Sequence, residues 1–106
     1  MSLRGDASEL SRALNEIIRA AVGEHDPYVA DVAARLAPLI ARYDYAVFER
    51  HSREDACEVL TEMAEDMSDL SATAAKLELR GFGHSLDAYW RLYTIFREWK
   101  YRDQTL

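Results

Sequence analysis

The stretch ACEVLTEMAEDMSDLSATAAKL, residues 56–77, decides the fold. Its apolar positions Ala56, Leu60, Met63, Met67, Leu70, Ala74 and Leu77 are spaced 4, 3, 4, 3, 4 and 3. A 3.5-residue repeat of this kind belongs to a coiled-coil-like helix that keeps one narrow seam turned toward its neighbours. Ser52, followed by Asp55, forms a capping-box pattern and predicts a helix beginning after Ser52. Its predicted end is Arg80, before Gly81-Phe82-Gly83. At 1.5 Å per residue such a helix is roughly 40 Å long. A compact sphere of this chain length is only about 33 Å across. The bundle around the helix is therefore expected to be elongated.

Three further helices surround this one. The first is predicted from Ala7 to Val22, with Asp6 and Glu9 as its capping box, Gly23 as its stop and Leu10, Leu14, Ile17, Ile18 and Ala21 as its stripe. The second begins at Asp26-Pro27, an N-cap followed by proline at the first helical position. Its stripe is Val29, Val32, Leu36, Ile40, Tyr43 and Val47, interrupted by Pro38. Proline in a helix interior removes a backbone bond and clashes with the preceding turn. The segment is thus one kinked helix to about Arg50 or two helices broken near Ala37. The apolar stripe keeps phase across Pro38, which favours the kink. The fourth helix runs from Ser85 to about Arg102, with Leu86, Tyr89, Trp90, Tyr93 and Phe96 on one stripe and Leu92, Ile95 and Trp99 beside it.

Composition agrees. The 106 residues suit one domain, and four Gly and two Pro supply few turns. The predicted fold is all-α, a single domain over 1–106: an elongated up-and-down antiparallel bundle of four helices with a coiled-coil-like third helix. The lone Cys57 excludes an intrachain disulfide. No apolar run approaches the roughly 20 residues of a membrane span. The N-terminus, Met1-Ser2-Leu3-Arg4-Gly5, lacks the apolar core of a signal peptide. A cytoplasmic protein is expected.

Charge is unevenly placed. Residues 53–69 hold seven acids (Glu54, Asp55, Glu58, Glu62, Glu65, Asp66 and Asp69) and one base, Arg53. Their balance equals the whole chain's net charge of −6. Glu58, Glu62, Glu65 and Asp69 repeat at 4, 3 and 4, an acidic stripe on the side of the helix away from its seam. Like charges at this spacing repel, so relief is expected from solvent, from the fourth helix, from a basic protein partner or from a divalent cation. A turn at Gly81–Gly83 would set Asp69, Glu65 and Glu62 level with Arg97, Lys100 and Arg102.

The chemistry-bearing motifs are few. None of His25, His51 and His84 completes the Glu-x-x-His of a di-iron bundle. No phosphate loop, zinc helix or serine elbow is present, and no cofactor is expected. The acidic balance argues against nucleic acid, which demands clustered basic residues. Glu62-x-x-Glu65 resembles one half of the carboxylate pattern of the all-α nucleotide pyrophosphohydrolases. The answering Glu-x-x-Asp on the following helix is missing, so that activity is not carried over.

Two functional expectations remain. The first is a non-enzymatic interaction protein, homodimeric through the apolar arc of the fourth helix. That arc spans roughly 220°, about twice what a surface helix needs against its own core. Its residues are Leu86, Tyr89, Trp90, Leu92, Tyr93, Ile95, Phe96 and Trp99. Glu58, Glu62, Glu65, Asp66 and Asp69 would meet a basic protein, as in bacteriocin immunity proteins or antitoxins, an analogy of class alone. The alternative is a divalent-metal-dependent hydrolase of the pyrophosphohydrolase type that uses Glu58, Glu62, Glu65 and Asp69.

Overall fold

The computed structural model describes residues 3–99, which form four α-helices and no strand. They are α1 (Leu3–Val22), α2 (Pro27–Asp44), α3 (Arg53–Lys76) and α4 (Arg80–Trp99). A π-helical turn, Tyr45–Glu49, continues α2. Each helix packs on two others, in the closed ring α1–α2–α3–α4. Cross-contacts show antiparallel pairing. Arg35 meets Asp66 while Arg42 meets Glu62, and Cys57 meets Phe96 while Leu60 meets Tyr89. Glu9 likewise meets Arg91 while Glu16 meets Ser85. The bundle measures 42 × 22 × 19 Å, elongated as the length of α3 requires.

The core is a set of matching rails. Ala56, Leu60, Met63, Met67, Leu70 and Ala74 of α3 are all buried. In α1, Leu3, Ala7, Leu10, Leu14, Ile17 and Ala21 repeat the same 4, 3, 4, 3, 4 spacing and are buried too. Leu3 explains why α1 starts earlier than predicted. Its burial extends the rail by one turn and carries Asp6 from the predicted N-cap into the helix, where it is 2 % exposed.

The junction of α3 and α4 also differs from expectation. α3 stops at Lys76, Leu77 is 42 % exposed, and Glu78 takes φ 56°. The Leu79 N–H donates to Ala74 O at 2.9 Å and the Glu78 N–H to Ala75 O at 3.3 Å. This is a Schellman termination with Glu at the left-handed position where Gly usually stands. Gly81 and Gly83 lie inside α4 without positive φ, and Phe82 is buried. The chain turns where Leu79, Phe82 and Leu86 can all reach the core, and that burial outweighs the strain at Glu78.

α2 runs through Pro38, which faces solvent. The kinked reading holds in altered form: an α segment and a π turn join into one rod. In the π turn the Arg50 N–H donates to Tyr45 O, five residues back, at 3.0 Å. The wider ring lets the adjacent Ala46 and Val47 both point inward. Asp26 caps α2 by accepting from the Tyr28 N–H at 2.8 Å. Ser52 caps α3 by accepting from the Asp55 N–H at 3.1 Å.

Two phenols anchor the interior. Tyr43 donates to Ala7 O at 2.7 Å and Tyr89 to Leu60 O at 3.0 Å. Burial pushes both hydroxyls well above the usual phenol range. In the unfolded chain they ionise from about pH 10. Their contribution to stability is therefore complete below that pH and declines as pH rises past it. The urea midpoint should fall steeply above pH ~10, and less steeply in Tyr89→Phe. An equal slope in both proteins would contradict the burial of Tyr89.

The helix junction makes a second prediction. A Cβ at Gly81 meets nothing within 4 Å. Gly81→Ala should therefore stabilise the fold by about 0.4–1 kcal/mol, because alanine leaves the unfolded chain fewer conformations to lose. Denaturant titration checks this, and a loss of stability would return the turn to Gly81.

Candidate interaction surface

The acidic stripe of α3 lies on the flank that faces α2, not α4. Successive helical residues rotate by 100°, which sets Glu62, Asp66 and Asp69 to one side of the rail and Cys57, Ala64 and Ser71 to the other. The Cys57 Sγ–H donates to Phe96 O at 3.3 Å, which assigns that second flank to α4. The first flank meets α2. Arg42 pairs with Glu62 at 2.9 Å and Arg35 with Asp66 at 3.2 Å. Arg35 also pairs with Asp31 at 2.6 Å. Its hydrogen bond to Asp66 chiefly holds the Arg35 guanidinium above its usual range. Tyr28 titrates above its usual range through desolvation and the neighbouring Asp69 carboxylate.

Glu62 and Asp66 thus pair with α2, and among the described residues none of the acids forms the expected pair with Arg97. Arg97 is exposed on α4, and Arg91 of the same helix pairs with Glu9 of α1. Lys100 and Arg102 lie outside the described residues. The reason is the turn: its centre at Glu78 shifts α4 along α3, and the acidic flank points away from α4 altogether. The α2–α3 pairs are half exposed and individually weak, but they set the register of the two helices.

Relief of the acidic face is thus partial. Among the described residues, Glu54, Glu58, Glu65 and Asp69 form no ion pair, and Glu58, Glu65 and Asp69 are exposed. The carboxylates do not converge. Among the described residues no three of His, Cys, Asp and Glu form a group able to hold a metal ion. Glu58, Glu62, Glu65 and Asp69 are strung along one helix, with no answering ligands from another among the described residues.

The apolar arc of α4 divides between two neighbours. Leu86, Tyr89, Leu92 and Phe96 are buried in the chain's own core. Trp90, Tyr93 and Ile95 pack partly buried against it, and the side chain of Trp99 lies outside the described set. α4 touches both α1 and α3, so the width that suggested a second copy is largely consumed within the bundle. Of the partly buried residues, Trp90 and Tyr93 lie edge to face with centroids 5.7 Å apart. Cys57 is buried at the α3–α4 contact, a packing residue as well as a donor.

One feature of the surface escaped the sequence reading. A groove of about 400 Å³ opens between the π turn and the first turns of α3. Ala41, Ala46 and Val59 line it with apolar surface, and Arg42, Tyr45, Arg50, Asp55 and Glu58 surround its mouth. Of these, Arg50 and Asp55 approach each other to 3.6 Å. The available signal was Tyr45-Ala46-Val47-Phe48, four consecutive apolar residues where a 3.6-residue period calls for alternation. A π turn absorbs such a phase slip.

Comparison with known proteins finds no matching family model and no significant match among curated proteins or solved structures. Among the described residues no helix is long and apolar enough to cross a membrane.

Proposed function

We propose that this chain is a small non-enzymatic interaction protein whose working surface is the outer face of α3. The observation that carries the reading is the incomplete neutralisation of that face. α2 supplies Arg35 and Arg42 for Asp66 and Glu62, and Glu58, Glu65 and Asp69 stay exposed beside them. A row of carboxylates on a rigid helix raises the association rate of a basic partner and fixes its register. The partner it suits is a protein or peptide rich in Lys and Arg.

A labelled decalysine peptide tests this at low salt by fluorescence anisotropy. It should bind, weaken as salt screens the field, and lose affinity in Glu65→Gln/Asp69→Asn. Glu24→Gln/Glu98→Gln removes the same charge elsewhere and should bind nearly as wild type. Equal losses in the two double variants would reduce the effect to net charge and sink the proposal.

Self-association is the second part of the reading, favoured by the half-buried Trp90–Tyr93 pair on the surface of α4. Aromatic side chains of this kind are enriched where protein surfaces meet. Light scattering at micromolar concentration should give the mass of two chains. A monomer under those conditions removes this part and leaves the α3 face untouched.

A further inference from the structure

The groove beside the π turn has a shape and a charge that choose its occupant. Its apolar surface is short-chained: Ala41 and Ala46 from the α2 rod and Val59 from α3. Ala46 and Val59 are themselves buried, so this lining is fixed by the core beneath it. Tyr45 stands at one side, 58 % exposed, held outward by the π turn that draws Ala46 and Val47 in. Ser52 N–H donates to Ala46 O at 2.8 Å and locks the end of that turn against the start of α3.

The charges at the mouth are not equally available. Arg42 is held by Glu62 at 2.9 Å, and Arg50 by Asp55 at 3.6 Å. Glu58 is exposed and, among the described residues, has no ion-pair partner. Two guanidiniums are therefore spoken for, and the uncompensated charge at the mouth is a carboxylate. An anion, by contrast, would compete with Asp55 and Glu62 for the two guanidiniums.

We infer that this groove receives one long cationic side chain, a Lys or Arg, from the basic partner. The inference rests on the proposed function of the α3 face and names the anchor of that contact. The aliphatic stem lies along Ala41, Ala46 and Val59, as long charged side chains do on apolar surface. The cationic head reaches the Glu58 carboxylate, and the Tyr45 ring flanks it in cation–π contact. At about 400 Å³ the space lies near the lower end of small-ligand pockets, suited to one side chain and its water.

The test uses the full chain, labelled with ¹⁵N, and a Gly-Gly-Lys-Gly-Gly peptide against its norleucine counterpart. The lysine peptide should shift the amides of Ala46, Glu58 and Val59 more than those of Glu65 and Asp69. The norleucine peptide, which keeps the stem and lacks the charge, should leave them in place. Glu58→Gln and Tyr45→Ala alter exposed side chains, and each should weaken the lysine response by about threefold or more, the scale of a partly exposed cation–π contact. The thermal midpoint of each variant confirms that it is folded. If decalysine still binds while these amides stay silent, or inorganic phosphate moves them instead of lysine, the groove assignment is overturned and the α3 face stands. If no cationic peptide binds at all, both fall.

Discussion

The bundle depends on one constraint: each helix must set a narrow apolar rail against two others at once. α1 and α3 meet it with the same spacing, Leu3 to Ala21 in one and Ala56 to Ala74 in the other. Because the ring is closed, moving any rail by a turn would expose large side chains on two interfaces. That is why Leu3 draws α1 past its predicted cap, and why α3 accepts a left-handed Glu78. Burial of a Leu-sized side chain is worth about 1.5–3 kcal/mol. A left-handed non-glycine residue costs roughly 1–2 kcal/mol. The larger quantity decides where the chain turns.

The same constraint places the polar groups. Tyr43 and Tyr89 sit in the rails and satisfy their hydroxyls on the carbonyls of Ala7 and Leu60. Each bond joins two helices of the ring, so each reports on register as much as on stability. Asp6 and Arg53, whose Nη1 is buried without a hydrogen-bond partner, are exceptions. The Asp6 Oδ1 is likewise buried and has no hydrogen-bond partner. Asp6 was drawn inward with the first turn of α1, and its unmet bond is a cost of extending the rail to Leu3.

The working surface is assembled from what the core does not use. Both flanks of α3 are packed, and the outer edge of its α2 flank carries ion pairs in addition. Charge on that side is consequently adjustable: guanidiniums from α2 cover Glu62 and Asp66, and the neighbouring acids remain open. The π turn adds shape to charge. By taking one extra residue into its ring it buries two consecutive apolar side chains, turns Tyr45 outward and leaves a groove at the head of the acidic face.

The amino-acid sequence by itself determined the class of fold, the helix count, the rail of α3 and the concentration of charge on that helix. Those are matters of periodicity and composition, local in the chain. The caps at Asp26 and Ser52 were legible for the same reason, since a cap is a bond between near neighbours. Only the tertiary structure decided the turn at Glu78, the burial of Asp6, the partners of the acidic stripe and the groove. Two glycines pointed to the wrong turn because the usual left-handed glycine is replaced by a glutamate whose strain is outweighed by distant burial. The width of the apolar arc of α4 is visible in one helix, whereas the two neighbours that bury Leu86, Tyr89, Leu92 and Phe96 are not. Which helix neutralises Glu62 and Asp66 depends on the handed order of helices around the ring, a property that no single segment carries.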